Sequence, residues 1–160
     1  MDHNVVKFTP ALKHSFKITL QDVADEKDME YFYAIEGLGL MYQVDNYSPG
    51  GYGSSYSMPV MYEVDKLVLK RPLAQEKSKI STWCQEALDT GIFKPTIAHM
   101  FILNADDSIN NHWTAERVYP IGIRLSPLDL ESGNPIIIET ITLAYSKLSR
   151  ISVSTASSAK

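Results

Sequence analysis

A single cysteine, Cys84, among 160 residues excludes an intramolecular disulfide. No apolar run approaches the ~20 residues that a helical membrane span requires, so no stable membrane association is expected. The start of the chain, Met1-Asp2-His3-Asn4-Val5-Val6-Lys7, lacks a basic segment followed by an apolar core. No signal peptide is visible there, and synthesis in the cytoplasm is expected. Basic charge is also scarce: 15 Lys and Arg stand against 19 Asp and Glu, for a net charge of −4. A generic binder of polyanions needs a clustered basic surface, so that class is excluded.

Catalytic motifs are missing as well. The chain has no nucleophile elbow, no Cys-x-x-Cys pair, no helical His-x-x-x-His and no phosphate-cradling loop. Gly37-Leu38-Gly39 is a Gly-x-Gly without the Lys-Ser/Thr that such a loop needs. His99, Asp106, Asp107 and His112 invite a metal reading, but the aspartates fall at a hairpin tip and the histidines on its arms. No enzyme activity, metal or cofactor is therefore expected. An enzyme using His99, Asp106 and His112 is the reading least supported by motif or spacing.

What is present reads as one domain, mainly β, with one convincing helix. From Gln75 to Thr90 the apolar residues Ile80, Trp83, Cys84, Ala87 and Leu88 follow helical spacing, with Ile92 beyond. The spacing predicts a helix at about 76–90, capped at its start by Ser78 or Ser81 and ended by Gly91. On that stripe Cys84 reads as a small buried hydrophobe. The opposite, polar face carries Glu76, Lys79, Gln85, Glu86 and Asp89.

Strand patterns fill the remainder. His14, Phe16, Ile18 and Leu20 alternate with Ser15, Lys17 and Thr19, the period of a half-buried strand. Asp22 to Glu30 reads as a solvated turn. Tyr31 to Val44 reads as one long β-rich run interrupted by Gly37 and Gly39, which mark a bulge or a close backbone approach. Glu63 to Lys70 forms a strand ended by the breaker Arg71-Pro72-Leu73, with Lys66, Val68 and Lys70 on one face. Phe93 to Leu103 alternates with both faces largely apolar, the mark of a central strand or one buried by a partner chain. Asn110 to Tyr119 returns from a turn at residues 104–108, Pro120 to Arg124 adds a short strand, and Ile136 to Leu148 is the last. Ser152 to Lys160 reads as a disordered tail.

Asn46 to Pro59 differs in character: Gly, Ser and Tyr dominate, with no charge and no strand periodicity. A loop of this length is functional or disordered, and tyrosines among small residues suit an adaptable binding surface.

The order of these pieces adds to the reading. Gly37-Leu38-Gly39, then Gly50-Gly51, Met58-Pro59 and Leu67-Val68-Leu69-Lys70-Arg71-Pro72-Leu73 appear in that sequence. Trp83, Trp113, Tyr119-Pro120 and Ile138-Glu139-Thr140-Ile141-Thr142-Leu143-Ala144-Tyr145 follow. This colinear set, over about residues 12–150, resembles the tail tube proteins of contractile phages and phage-tail-like injection systems. The resemblance implies a small antiparallel β-barrel or split sandwich with one flanking helix, related to the type VI secretion tube protein. Residues 1–11 would be an arm and 151–160 a flexible tail.

It also implies stacked rings of six whose inner strands join into one lumen wall. DNA or protein cargo would pass through that lumen when the sheath contracts. Sheath, baseplate and tube-terminator proteins would be the partners, and the assembled place a phage tail or phage-tail-like particle. Within that picture Tyr47, Pro49, Gly50, Gly51, Tyr52, Tyr56, Met58 and Pro59 are candidates for contacts between rings. Lys66, Val68 and Lys70 face the lumen, an interface or solvent. The polar helix face turns to a neighbour or the sheath. The alternative is a monomeric ligand-binding β-barrel with the tyrosine-rich loop as a lid.

Overall fold

The computed structural model describes residues 15–23, 30–51, 53–73, 78–128 and 136–152. The expected arm (1–11), most of the expected tail, His14, Tyr52 and Glu76 lie outside them. The described chain forms ten strands and one helix, as a mainly antiparallel β-structure. In order these are β1 (Ser15–Leu20), β2 (Glu30–Phe32), β3 (Ala34–Glu36), β4 (Leu40–Tyr47), β5 (Tyr56–Val64), β6 (Leu67–Pro72), α1 (Lys79–Thr90), β7 (Thr96–Leu103), β8 (Ile109–Leu125), β9 (Ile138–Ala144) and β10 (Lys147–Ile151).

Two long elements hold the barrel together. Strand β8 absorbs both the expected return strand and the short strand after it. Its first half pairs with β7 and β10, and its second half pairs with β9. Register shifts near Arg117 and Ile121 bend it from one sheet to the other. Arg117 takes a left-handed φ of 55°, and the extra residue lets Ala115 and Val118 both face the core. The bent β2–β3 segment closes the opposite side, pairing with β1 through Phe32 and with β6 through Ala34. The resulting order is β2-β1-β7-β8-β9-β6-β3.

The interior is filled by Ile18, Leu20, Phe32, Leu67, Leu69, Met100, Val118, Ile141 and Leu143, all buried. Each such side chain contributes about 1.5–3 kcal/mol on removal from water. The helix adds Ile80 and Cys84 to the same cluster and buries Ala87 on the same stripe, as its spacing requires, while Trp83 is half-buried at the margin. Open clefts of about 300 and 330 Å³ lie outside this interior, beside Trp83.

The helix begins later than the spacing predicted, at Lys79. Ser78 caps it by accepting from the Ser81 backbone N–H at 3.1 Å, and Gly91 ends it at a φ of 68°. A buried network explains the tight start. Arg71, expected to break a strand, stays within β6 and binds Glu30 through Nη1 (2.5 Å) and Glu139 through Nε (2.6 Å). Its Nη2 donates to Ser81 Oγ at 2.6 Å, and Ser81 Oγ donates to Glu139 at 2.9 Å. Glu30 accepts from Ser78 Oγ and from the Ile80 N–H at 3.2 Å. A carboxylate there also meets the positive end of the helix dipole. Glu30 thus belongs to a buried ionic cluster and not to a solvated turn. That cluster pins α1 to β2, β6 and β9.

Candidate assembly surface

The stretch expected as a structureless loop is the end of a hairpin, with strand at residues 46–47 and 56–59. Strands β4 and β5 pair with each other alone, from Leu40–Val64 at the root to Tyr47–Tyr56 at the tip. Only residues 48–55 connect them. Tyr47, Tyr56, Met58 and Pro59 are therefore strand residues, and Pro49, Gly50 and Gly51 form the tip. The missed signal is the run Leu40 to Tyr47 facing Tyr56 to Val64, whose apolar content is that of two paired strands. A register shift lies nearer the root, at Gln43/Val44, where β5 carries one extra residue.

The hairpin is apolar on both faces, and among the described residues it is exposed beyond its root, where Val64 packs against the core. The pairs Leu40–Val64, Tyr42–Tyr62 and Val44–Pro59 share one face, with the two tyrosine rings 5.3 Å apart. Met41, Met61, Met58, Tyr47 and Tyr56 occupy the other, among Gln43, Asp45 and Glu63. Met41 is 66% exposed, Val44 66% and Val60 65%. Two strands alone in water are marginal at best. An exposed apolar patch of this kind marks a surface that another chain covers.

The root of the hairpin is built for close approach. Gly37 has a φ of 85°, and a Cβ there would lie 1.8 Å from the Lys66 carbonyl oxygen. At Gly39 a Cβ would lie 2.4 Å from the Asp65 carboxylate. Segments 37–39 and 65–66 therefore touch, which is the close approach that the glycines implied. The Lys66 backbone sits in this crossing, one residue before β6 begins.

Val68 and Lys70 do share a face, the one turned away from the core. The register brings them together with Gly122, Arg124, Thr140, Thr142, Ala34 and Glu36 across β8, β9, β6 and β3. Lys70 Nζ donates to Glu36 at 2.6 Å. This hydrogen bond raises the lysine pKa, and the carboxylate charge adds to the shift. The face is thus smooth, with short polar side chains and a few long cations. Its lateral edges among the described strands are β3 and the second half of β8. On the helix, Lys79, Gln85, Glu86 and Asp89 are exposed, and Gln85 donates to Asp89 at 2.9 Å.

The candidate metal residues separate. Asp106 accepts from the Ser108 N–H and hydroxyl in the turn, which lowers its pKa. His99 and His112 meet each other instead, 3.1 Å apart. No cluster of three or more His, Cys, Asp or Glu side chains suited to a metal occurs among the described residues. Burial pushes the Cys84 thiol up to about 12, with the charges of Glu139 and Glu30 adding to it. No helix among the described residues is long and apolar enough to cross a membrane.

Comparison with known proteins agrees with this architecture. The chain is similar in fold to a component of the anti-feeding prophage baseplate, with a TM-score of 0.77 and 20% identity over 92% of this chain and 99% of the other. A chain in the extended sheath–tube complex of the extracellular contractile injection system PVC gives a TM-score of 0.77 and 18% identity, over 92% and 95%. A type six secretion system protein gives 0.56 and 17%, over 85% and 82%. Curated protein sequences contain no match. The family model for the T4-like virus tail tube protein gp19 matches residues 12–149. The chain belongs to the T4-like virus tail tube protein family.

Proposed function

We propose that this chain is the repeating subunit of the inner tube of a contractile tail or injection apparatus. It forms six-membered rings that stack and conduct DNA or protein cargo when a sheath contracts. The observation that carries the reading is the β4–β5 hairpin, apolar on both faces and exposed along most of its length. A neighbouring ring supplies the missing partner surface, and the tip residues Pro49, Gly50 and Gly51 with Tyr47 and Tyr56 make those contacts.

The four-stranded sheet supports the ring itself. Strands β8, β9, β6 and β3 alternate in direction. Because their number is even, β3 of one copy meets β8 of the next antiparallel, and the wall closes without an orphan edge. Sixfold symmetry was applied to the baseplate assembly that holds a similar chain. Val68 and Lys70 then line the lumen with the small polar residues of that face. The outer helix face, with Lys79, Gln85, Glu86 and Asp89, turns toward the sheath. Baseplate, sheath and tube-terminator proteins are the partners, and the particle is phage-tail-like.

Light scattering with negative-stain imaging tests this directly. Purified protein should form rings that stack, and deletion of Gly50 to Ser55 should leave rings but abolish stacks. Charge reversal at Glu86 and Asp89 should leave tubes intact and weaken sheath binding. Stacks that persist after the deletion would remove the hairpin tip from the interface. A strict monomer that a small molecule stabilises against heat would favour the lidded barrel.

A further inference from the structure

We propose that His99 and His112 form a binding site for a transition-metal dication of the Zn²⁺ class, on the sheet face turned away from the core. The inference is independent of the tube reading. His99 Nδ1 and His112 Nε2 lie 3.1 Å apart, with one ring donating and the other accepting. Metal–nitrogen bonds are about 2.0–2.1 Å, so nitrogens at that spacing subtend roughly 100° at a metal placed between them. That angle lies between cis-octahedral and tetrahedral geometry, and each ring would turn from the N···N line to direct its lone pair at the metal.

The rings are also held in place. His112 stacks on Phe101 with centroids 4.4 Å apart and planes at 27°, and His99 lies next to His112, 6.5 Å from Phe101 with planes at 20° and 5.3 Å from His112. A cross-strand ladder fixes this spacing, since Phe101 pairs with His112 and His99 with Thr114 in the β7–β8 register. Thr114 Oγ1 is 3.5 Å from His99 Nδ1, on the same side as the pair. Both imidazoles are half-buried, which leaves one side open for water ligands. Burial, followed by the charge of His99, lowers the His112 pKa, so its lone pair is available at neutral pH.

The surroundings add no competing anion in register. Across β1 the partner of Phe101 is Lys17, whose ammonium sits over the Tyr31 ring at 4.6 Å. On β10, Ser149 and Ile151 lie opposite Thr114 and His112. Metal binding requires both facing nitrogens to present lone pairs. The donor ring therefore changes tautomer: its facing N–H proton leaves to water while its other nitrogen takes one up. Net proton release is zero when both rings are neutral, and acid competes with the metal by protonating them.

The experiment is calorimetric titration of the full chain with ZnCl₂ at pH 7.5 and pH 5.5, together with NMR of the histidine ring protons. One saturable site is expected at pH 7.5, with the His99 and His112 signals moving and binding lost at pH 5.5. His99→Gln and His112→Gln should each abolish that site, while the double variant His3→Gln/His14→Gln should keep it. Unmoved His99 and His112 signals in the unaltered chain would overturn the proposal. So would undiminished binding in either single variant. The NMR result decides even where a substitution disturbs folding.

Discussion

The Tyr145 hydroxyl donates a 2.8 Å hydrogen bond to the Gly37 carbonyl, reaching 108 residues back along the chain. A longer contact of 3.2 Å reaches the Gly39 carbonyl. One buried side chain, placed where β9 breaks into β10, therefore holds the segment from which the exposed hairpin springs. Burial pushes its pKa up, which keeps the hydroxyl protonated as a donor. The hairpin's angle to the barrel is set from the opposite end of the sequence.

Tyr145→Phe removes that donor and little else. Loss of a bond of this kind costs about 1 kcal/mol, with more where an acceptor stays buried and unpaired. The expected signature is local: faster hydrogen exchange in β4 and β5, beyond what the drop in global stability from urea unfolding accounts for. Uniform acceleration across all strands would argue against a hinge-holding role.

Gly37 and Gly39 should differ in tolerance. Gly37→Ala places a Cβ against the Lys66 carbonyl at a left-handed φ, and neither backbone can yield, so a loss above about 3 kcal/mol is expected. Gly39→Ala meets the end of a carboxylate side chain, which can swing aside. Its cost should be smaller, and Asp65→Ala in the same chain should relieve part of it. Thermal melts of the two single variants and the Gly39→Ala/Asp65→Ala double variant separate these outcomes.

Arg71 should be the most sensitive charged position. Arg71→Met leaves Glu30 and Glu139 facing each other without their shared cation. Breaking a buried pair in this way costs about 3–5 kcal/mol. Denaturant unfolding of Arg71→Met and of the triple variant Arg71→Met/Glu30→Gln/Glu139→Gln provides the measurement. The triple variant should recover stability if uncompensated charge is the cause.

Cys84 should resist labelling in the native state. A thiol with a pKa of about 12 is protonated at pH 8, and this one is buried besides. Reaction with a maleimide should track opening of α1 and rise steeply in denaturant. Prompt labelling of folded protein would contradict the burial.

His112 should make stability fall on acidification. Its folded pKa lies below the unfolded value of about 6.5, so the unfolded chain binds more protons as the pH drops through that value. Stability is therefore greatest above about pH 6.5 and declines toward the lower folded pKa. His112→Gln should flatten the urea midpoint between pH 7.5 and 5.5, whereas an unchanged slope would assign it to other groups.

The sequence by itself determined what local periodicity encodes. The helix stripe of Ile80, Cys84 and Ala87, a cap at Ser78 or Ser81, the Gly91 end, and the alternation of Ile138 to Ala144 all depend on neighbours within a few residues. The family was legible for a related reason, because the colinear glycines, tryptophans and β-branched runs are properties of the chain in order. Tertiary structure decided the rest. Glu30 and Glu139 are acids of ordinary appearance until Arg71 and the helix start enclose them both. The outer end of the hairpin, residues 46–47 and 56–59, reads as loop because its strand character comes from pairing between β4 and β5. The junction of His99 and His112 depends on the β7–β8 register, and the contact of the Lys66 backbone with Gly37 depends on the chain crossing there. Pairing between distant segments is a property of packing, and no window along the chain contains it.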